Sequence, residues 1–209
     1  MYNIVIIDFG AGNIKSMHNA LLRLDVSLSI KIYKKPDDLR WASHIILPGV
    51  GAFNDAMISM AAKPNLISSL GEEVLSNKKP FLGICLGMQI LADYGYEVKK
   101  TRGLGWISGE IRPFAELGNP HSLKIPHMGW NDTDNVAGKK VPKKFNHKDF
   151  YFVHSYYFDC KNSEDVLSYA NYIINFPDII SKDNIMATQF HPEKSGKMGQ
   201  EFLKYFLTK

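Results

Sequence analysis

Cysteine is scarce in this sequence, which has only two cysteines among 209 residues, Cys85 and Cys160. The two lie in unlike surroundings, and neither belongs to a C-x-x-C pair or to a spacing typical of metal ligands. A small fold held together by disulfides or by a structural zinc is therefore disfavoured. A reducing compartment is the simpler expectation, and we expect the protein to be cytoplasmic.

Long apolar runs and a strong charge imbalance are missing as well. No apolar run approaches the ~18 residues that a membrane span requires, and residues 1–8 lack the basic segment and cleavage site of a signal peptide. The formal net charge of +4 is too small to indicate a nucleic-acid-binding face, and the lysine-rich run at 139–144 is typical of a solvated loop. We therefore expect neither a membrane nor a nucleic acid as a partner.

What the first half of the sequence does contain is an alternation of short apolar segments with amphipathic helical ones. The predicted strands are 4–7, 28–33, 44–47 and 80–84, and the predicted helices are 14–24, 52–60, 66–75 and 86–94. Buried strands that alternate with helices favour an α/β fold with a mostly parallel central sheet flanked by helices on both faces.

The pattern changes after residue 103, where strands joined by turns replace the alternation. The further predicted strands are 106–114, 123–128, 150–158, 166–174 and 185–190, and a helix at 199–207 follows them. We expect these strands to add antiparallel pairs to the parallel core. No linker or repeat interrupts the sequence, so a single domain over residues 1–209 is predicted.

The sharpest local signal is the segment Gly83-Ile84-Cys85-Leu86-Gly87, which follows a predicted strand and opens a predicted helix. This is the pattern of a nucleophile elbow, G-x-S-x-G, with cysteine in place of serine. A Cβ on either glycine would crowd so tight a turn, and the turn would present the sulfur at a helix N-terminus, where the dipole favours a thiolate. A free thiol is only about 3% ionised at pH 7, so we also expect a histidine nearby.

A candidate for that histidine lies close to the end of the sequence. His191 and Glu193 are two residues apart after a predicted strand, so in an extended backbone both point to the same face. Pro192 stiffens the backbone between them. Glu193 can then fix the tautomer of His191, which can shuttle the thiol proton. The other six histidines are expected to be structural, including His121, His127 and His154.

Acyl transfer also needs donors for a developing oxyanion. The segment Pro48-Gly49-Val50-Gly51 comes directly after a predicted strand, where α/β sheets build their sites. Glycines on both sides of Val50 let its peptide rotate, and we expect the N–H groups of Val50 and Leu86 to hold the oxyanion. A plain tight turn is the alternative for this segment.

Six segments spread over nearly the whole chain carry one shared resemblance. They are 7-IDFGAGN-13, 47-LPGVGAF-53, 83-GICLGMQ-89, 125-IPHMGWN-131, 151-YFVHSYY-157 and 189-QFHPEKSG-196. Together they resemble the class I (triad) glutamine amidotransferases, and the last three favour one group of that family, the HisH glutaminase subunits of imidazole glycerol phosphate synthases. The resemblance implies a flavodoxin-like α/β fold of the amidotransferase type and an enzyme that needs no metal or organic cofactor.

The resemblance also implies roles for individual residues. Cys85 matches the family's nucleophile, His191 its acid/base and Glu193 the group that orients the histidine. Val50 lies in the family's oxyanion strand, whose peptide reorients when the partner is engaged. Further positions match those that hold the oxyanion (Gly51, Leu86), glutamine (Gly49, Gln89, Ser155, Tyr156) and the partner interface (Asn13, Trp130, Lys194).

The partner that the resemblance implies is HisF, a (β/α)8 barrel cyclase, with which the chain would form a heterodimer. Glutamine would be hydrolysed at Cys85. The ammonia would cross the interface into the barrel, where imidazole glycerol phosphate and AICAR are formed in histidine biosynthesis. The implied activity is that of a hydrolase acting on glutamine, within a synthase that is a lyase.

Three alternatives stay open. Some bacteria carry HisH-like paralogues that supply ammonia to enzymes modifying surface sugars, and the bulky Trp106 and the lysine-rich loop at 134–148 are departures that keep this acceptor in view. Another cysteine hydrolase, such as a peptidase on a related fold, is the second alternative, and its substrate would distinguish it. An α/β-hydrolase is disfavoured, because the order Cys…His…Glu differs from the Ser…Asp/Glu…His of that class. A non-catalytic binding subunit would keep the elbow only as structure.

Overall fold

The computed structural model describes residues 1–10, 12–118, 122–139 and 141–209. Three residues named above lie outside these ranges: Ala11 of the segment 7-IDFGAGN-13, His121 of the histidines expected to be structural, and Lys140 of the lysine-rich run. The architecture of the described part is α/β, with an eight-stranded sheet, a four-stranded sheet and a two-stranded sheet.

The parallel part of the large sheet comes from the first half of the chain and one later strand. Its strands are β1 (Tyr2–Ile6), β2 (Leu28–Ile32), β3 (His44–Gly49), β4 (Phe81–Cys85) and β14 (Ile185–Thr188), in the order β2-β1-β3-β4-β14. All neighbouring pairs in this part run parallel. The carboxyl ends of β3 and β4 meet in register, Gly49 opposite Cys85, which brings the two glycine-containing turns of the sequence side by side.

Helices cover this sheet on both faces, which confirms the predicted layering. They are α1 (Ile14–Leu22), α2 (Pro36–Trp41), α3 (Phe53–Ala62), α4 (Leu66–Gly71), the single turn α5 (Leu86–Gln89) and α6 (Gly196–Leu207). Two successive residues of β1, whose side chains point to opposite faces, show why. Val5 joins the buried cluster that contains residues of α2, α3 and α4, whereas Ile4 joins the cluster that contains residues of α1 and α6. Two apolar faces require two helical layers.

The second half adds antiparallel strands, as expected. Strands β13 (Asn175–Lys182), β12 (Val166–Asn171) and β9 (Asp134–Asn135) extend the large sheet beyond β14. The four-stranded sheet has the order β11-β7-β5-β6, from β11 (Tyr156–Cys160), β7 (Gly109–Pro113), β5 (Tyr94–Tyr96) and β6 (Lys100–Arg102). Strands β8 (His127–Asp132) and β10 (Asp149–His154) form the two-stranded sheet.

The predicted helix at 86–94 is wrong beyond its first turn. The helix α5 ends at Gln89, and a strand begins at Tyr94. Backbone carbonyls that would continue the helix accept hydrogen bonds from a distant loop instead: Leu104 N–H bonds to Ile90 O at 2.8 Å, and Trp106 N–H bonds to Leu91 O at 2.9 Å. The helix dipole behind Cys85 is therefore that of one turn, smaller than expected.

Three predicted strands also differ from the structure, and four strands, β5, β6, β9 and β13, were not predicted. The run 150–158 is split at Ser155 into β10 and β11, the strand predicted at 123–128 begins at His127, and that predicted at 106–114 begins at Gly109. Three of these four have only two or three residues, too few to show a pattern. The fourth, β13, contains Pro177 and Asp178, two residue types that weaken a strand pattern. None of the helices in the described ranges combines the length and apolarity of a membrane span.

Candidate active site

The cysteine of the elbow sits at the carboxyl end of β4 in a strained backbone conformation. Cys85 has φ 54° and ψ −109°, a region that residues other than glycine rarely adopt and that costs roughly 1–3 kcal/mol. Its side chain is 6% exposed, and both cysteines are free thiols. Such a strained, sharply turned cysteine between a strand and a helix is the geometry that G-x-C-x-G predicted.

The two glycines of the elbow are required by close backbone packing, as expected. A Cβ on Gly87 would lie 1.8 Å from the carbonyl oxygen of Leu47 in β3. A Cβ on Gly83 would lie 2.6 Å from the carbonyl oxygen of Gly87. Neither neighbour is a flexible side chain, so the turn is fixed between β3 and β4.

His191 is fixed just beyond the end of β14, the strand that pairs with β4. Thr188 lies opposite Ile84, so the chain that leaves β14 passes beside Cys85. The N–H of His191 bonds to Tyr151 O at 2.9 Å, and its carbonyl accepts a 2.6 Å hydrogen bond from Ser195 Oγ. These two hydrogen bonds fix the backbone of His191 at both its N–H group and its carbonyl group.

Glu193 holds the ring of that histidine. Nδ1 of His191 lies 2.8 Å from Glu193 Oε1, and both side chains are 1% exposed. A single turn of 3-10 helix (Pro192–Lys194), rather than the extended backbone predicted from the two-residue spacing, brings them together. Nε2 of His191 is buried and makes no hydrogen bond with any described residue, which leaves this nitrogen open for proton transfer.

The electrostatics of His191 favour the imidazolium. Burial alone lowers the pKa of His191, but the negative charge of a Cys85 thiolate and of Glu193 outweighs burial and raises that pKa to about 10. Cys85 raises the pKa first through its charge and then through hydrogen bonding to the ring, although the orientation of Nε2 does not complete a regular hydrogen bond. The arrangement therefore suits a thiolate–imidazolium pair, which is the reactive form of a cysteine nucleophile.

In the turn after β3, unlike in the elbow, the last glycine, Gly51, is not tightly packed. Gly51 has φ 104°, and a Cβ there would meet nothing within 4 Å. Val50, between the two glycines, is 37% exposed. Gly49, by contrast, is packed, since its Cβ would lie 2.9 Å from the ring of Phe9. The peptide on the Gly51 side of Val50 is thus free of tight packing.

A cavity of about 390 Å³ opens beside the sulfur. Most of the residues predicted to hold the oxyanion or glutamine line it. The lining consists of Val50, Gly51, Cys85, Leu86, Gln89, Glu97, Pro126, Val153, His154, Ser155 and Tyr156. Gly49 is not in the lining, but its register opposite Cys85 places it next to the cavity.

Sequence reasoning missed two polar residues of this site. Glu97 lines the cavity just after β5, and its Oε2 accepts a 2.6 Å hydrogen bond from the N–H of Phe53. Gln189 is fully buried, and its Nε2 donates to the Cys85 sulfur at 3.6 Å while its Oε1 accepts from Gln89 Nε2 at 3.1 Å. Only the position of Gln189 two residues before His191 could have drawn attention to it.

The three residues predicted at a partner interface lie on neighbouring elements. Asn13 caps α1 by accepting a hydrogen bond from Ser16 N–H at 3.2 Å, and α1 contacts the turn that carries Lys194. Trp130 is 59% exposed. Its ring lies 6.2 Å from that of Tyr151, and Nζ of Lys194 lies 5.6 Å from the same tyrosine ring.

A larger cleft, of about 500 Å³, lies elsewhere on the four-stranded sheet. Its polar side chains carry both signs of charge, for example Arg102 and Glu110, and none of the predicted site residues lines it. Glu110 is already paired with Arg112. The smaller cavity at Cys85 is therefore the better candidate site, because a strained cysteine, a histidine and a carboxylate that holds this histidine converge there.

Comparison with known proteins agrees with this geometry. The family described as "Glutamine amidotransferase class-I" matches residues 5–209. The chain is 45% identical over 204 residues to "Imidazole glycerol phosphate synthase subunit HisH 1" of Campylobacter jejuni, with 97% of this chain and 98% of the relative covered. It is 40% identical over 205 residues to "Imidazole glycerol phosphate synthase subunit HisH" of Zymomonas mobilis, with 98% and 94% covered. A solved structure, "Crystal structure of glutamine amidotransferase", shares the fold with a TM-score of 0.73 at 18% identity, covering 98% of this chain and 97% of that one.

Proposed function

This chain belongs to the class I glutamine amidotransferase family and, within it, to the HisH subunits, and from that premise we propose that Cys85, His191 and Glu193 act as a triad that hydrolyses glutamine to glutamate and ammonia. The observation that carries the proposal is the strained, buried cysteine beside a histidine whose Nδ1 is held by Glu193 and whose Nε2 is open. The three side chains then correspond to nucleophile, acid/base and orienting group.

In the first half-reaction the Cys85 thiolate attacks the amide carbon of glutamine. The electron pair of the carbonyl moves onto oxygen, and the N–H groups of Val50, Gly51 and Leu86 are the donors that surround it. The imidazolium of His191 gives its Nε2 proton to the departing nitrogen, so ammonia leaves and a thioester remains on the sulfur. In the second half, His191 takes a proton from water, which hydrolyses the thioester to glutamate and restores the thiolate.

The cavity supports glutamine as the substrate. Its side chain must reach Cys85, which places the α-amino and α-carboxyl groups toward the outer lining. There the Glu97 carboxylate suits the ammonium group, since a charge-assisted hydrogen bond pairs them, while Gln89 and the backbone at Ser155 and Tyr156 supply polar groups for the rest. Glu97 is a new member of the substrate-binding set.

We place the partner on the surface that carries Asn13, Trp130 and Lys194. A HisF-type (β/α)8 cyclase docked there would receive ammonia before it meets bulk water, where protonation at pH 7 removes its nucleophilicity. The names of the relatives, which describe subunits of a synthase, support a complex of this kind. The freedom of the Gly51 side of the Val50 peptide supports a donor that turns toward the oxyanion when the partner binds.

The experiment uses the complex with the HisF-type cyclase from the same genome and compares two cysteine variants. Cys85→Ala should abolish synthesis from glutamine and leave synthesis from added ammonia intact. Cys160→Ala is the control, because this thiol lies on β11 with its sulfur directed at the carbonyls of Ser108 and Asn162, and it should retain both activities. Loss of ammonia-dependent synthesis in Cys85→Ala would assign that residue a structural role.

A second acceptor remains worth testing in the same assay. The name of the Campylobacter jejuni relative carries a number, HisH 1, which distinguishes it from another subunit of that name and favours the existence of paralogues. A paralogue that serves a surface-sugar-modifying synthase would keep the glutaminase chemistry and change only the partner. Glutamine hydrolysis stimulated by such a synthase, and not by the HisF-type cyclase, would identify this case.

A further inference from the structure

Two histidines outside the triad form a hydrogen-bonded pair that ends at the glutamine cavity. Nδ1 of His127, in β8, lies 2.9 Å from Nε2 of His154, at the end of β10. Nδ1 of His154 lies 2.8 Å from the carbonyl oxygen of Tyr156. His154 and Tyr156 both line the cavity. Both histidines were expected from the sequence to be structural, and the structure gives them a defined polar connection.

Only one assignment of protons satisfies this chain of contacts. A carbonyl oxygen can only accept, so His154 carries its proton on Nδ1, and its Nε2 must accept from the Nδ1–H of His127. The remaining nitrogen of His127, Nε2, then accepts from Asn131 Nδ2 at 3.3 Å, and the other proton of that amide goes to Asn171 O at 2.8 Å. All four ring nitrogens are thereby partnered, with both rings neutral.

The surroundings keep both rings in this neutral state. His127 and His154 are 3% and 6% exposed. Burial lowers the pKa of His127 to about 4 and that of His154 to about 3, so neither ring is charged at neutral pH. The tautomers are therefore fixed by the hydrogen bonds alone, and donation always runs from His127 to His154 and from His154 to Tyr156.

This series of hydrogen bonds ends at the carbonyl of Tyr156, which belongs to the corner where β10 ends and β11 begins. The break at Ser155 exposes the backbone of this corner to the cavity. Besides His154, the Tyr156 carbonyl accepts a 3.2 Å hydrogen bond from Nε2 of Gln89, which also lines the cavity. At Ser155 the corner is anchored by the N–H of Phe114, which donates to the Ser155 carbonyl at 3.0 Å. On the other side of the corner, the His154 ring bonds to the Tyr156 carbonyl two positions ahead and so adds a side-chain hold on its conformation.

We propose that the His127–His154 pair is a positioning element that holds the Ser155–Tyr156 corner in the conformation that binds glutamine. This inference rests on the proposed function, because it assigns the corner to that substrate. His127 acts indirectly: its Nδ1–H donates to Nε2 of His154 and thereby fixes the tautomer of that ring. The pair touches neither the sulfur nor the reacting carbon.

The test compares two substitutions of His127 that separate its nitrogen from its ring. His127→Phe keeps the ring, which stacks on Tyr172 at 4.1 Å and on Phe152 at 4.9 Å, and removes both nitrogens. His127→Asn loses the ring and keeps an N–H donor near the position of Nδ1. Steady-state kinetics of glutamine hydrolysis are measured in the complex with the cyclase, with the melting temperature of each variant as the measure of packing.

For His127→Phe we expect the KM for glutamine to rise about tenfold, with kcat within about twofold of wild type. The reason is the loss of the His127 Nδ1–H bond that fixes the tautomer of His154, and one hydrogen bond is worth about a factor of ten. His127→Asn should keep a KM near that of wild type, even where its melting temperature is lower. If His127→Phe does not fold, His127→Leu provides the nitrogen-free variant.

Labelling of Cys85 gives a second readout. A diazoketone analogue of glutamine must occupy the corner before it alkylates the sulfur, whereas iodoacetamide needs only the thiolate. His127→Phe should slow labelling by the analogue about tenfold and leave the rate with iodoacetamide unchanged.

Several results would overturn the inference. A larger rise of KM in His127→Asn than in His127→Phe would mean that the ring acts through packing. Equal slowing of both labelling reagents would mean that the pair acts on the sulfur or on the fold. Absence of glutamine hydrolysis by the wild-type complex would overturn the proposed function and this inference with it, and is recognised before any variant is compared.

Discussion

Histidine occupies two kinds of buried place in this molecule, and they hold opposite charge states. In the His127–His154 pair the partners of each ring are neutral, and burial lowers both pKa values, to about 4 and about 3. His191 is more deeply buried, at 1% exposure, yet its pKa is raised to about 10 by Cys85 and Glu193. Burial is common to all three rings, so the neighbours decide the charge.

The use of the ring nitrogens differs in the same way. All four nitrogens of the neutral pair have partners, whereas Nε2 of His191 has none among the described residues. A ring with every nitrogen engaged can only hold its surroundings in place. A charged ring with one open nitrogen can transfer a proton. The contrast separates positioning from acid–base chemistry without reference to the fold family.

The largest effect expected from this contrast comes from the open nitrogen. His191→Asn should lower kcat/KM for glutamine at least about 1,000-fold, because both half-reactions need a proton carried by that residue. Synthesis from added ammonia, measured with the same complex, should be unchanged. A variant that retains glutamine turnover within about tenfold of wild type would remove His191 from the mechanism.

Glu193→Gln is the next largest test, since it removes the charge and keeps the size. We expect glutamine-dependent kcat/KM to fall by about 10- to 1,000-fold, because the tautomer of His191 is no longer dictated by a carboxylate. The pKa of His191 should also decrease, as one of its two anionic neighbours is gone. An NMR titration of the ring measures this, and an unchanged pKa would contradict the electrostatic account.

The neutral pair should make the protein sensitive to acid. Because the folded-state pKa values of His127 and His154 lie below the unfolded value of 6.5, the stability they confer is present above pH 6.5 and is lost as the pH falls toward 4. Between pH 6.5 and pH 5 the loss is about 2 kcal/mol for each histidine. Urea unfolding at several pH values should show a shallower acid slope for His127→Phe than for wild type, and equal slopes would refute the assignment.

A third buried group, the Asp178 carboxyl, has no cation among the described residues that lowers its pKa, and its expected effect is the smallest. Burial raises the pKa of Asp178 to about 7, against hydrogen bonds from Ser168 Oγ and backbone N–H groups that lower it. Wild-type stability therefore decreases as the pH rises from about 4 to 7. Asp178→Asn should gain on wild type by about 2.5 kcal/mol in free energy of unfolding between pH 5 and pH 8, less than the two histidines together lose in acid. A gain that does not grow with pH would contradict this.

Local patterns were enough to predict the parts of the site that depend on backbone geometry. The glycines around Cys85 and the two-residue spacing of His191 and Glu193 each constrain a few adjacent residues, so the elbow and the carboxylate–imidazole contact could be anticipated. The strand that precedes each of these segments could also be predicted, because β3, β4 and β14 consist mainly of apolar residues.

Contacts between distant segments could not be read in this way. The helix predicted at 86–94 ends early because residues beyond 103 take the carbonyls of Ile90 and Leu91. Glu97 follows a three-residue strand with no distinctive pattern, and Gln189 acquires its role only where β14 meets β4. The His127–His154 bond joins two strands whose pairing no local pattern specified.

The backbone of Cys85 has a practical consequence for laboratory evolution of this protein. Glycine would adopt its φ of 54° without strain, so replacing the sulfur-bearing residue relieves the fold. A screen that rewards only expression yield or heat resistance will therefore enrich variants without Cys85, which under the proposed mechanism cannot hydrolyse glutamine. Any programme to stabilise this protein must select for turnover at every round, because at position 85 stability favours glycine whereas the proposed chemistry requires cysteine.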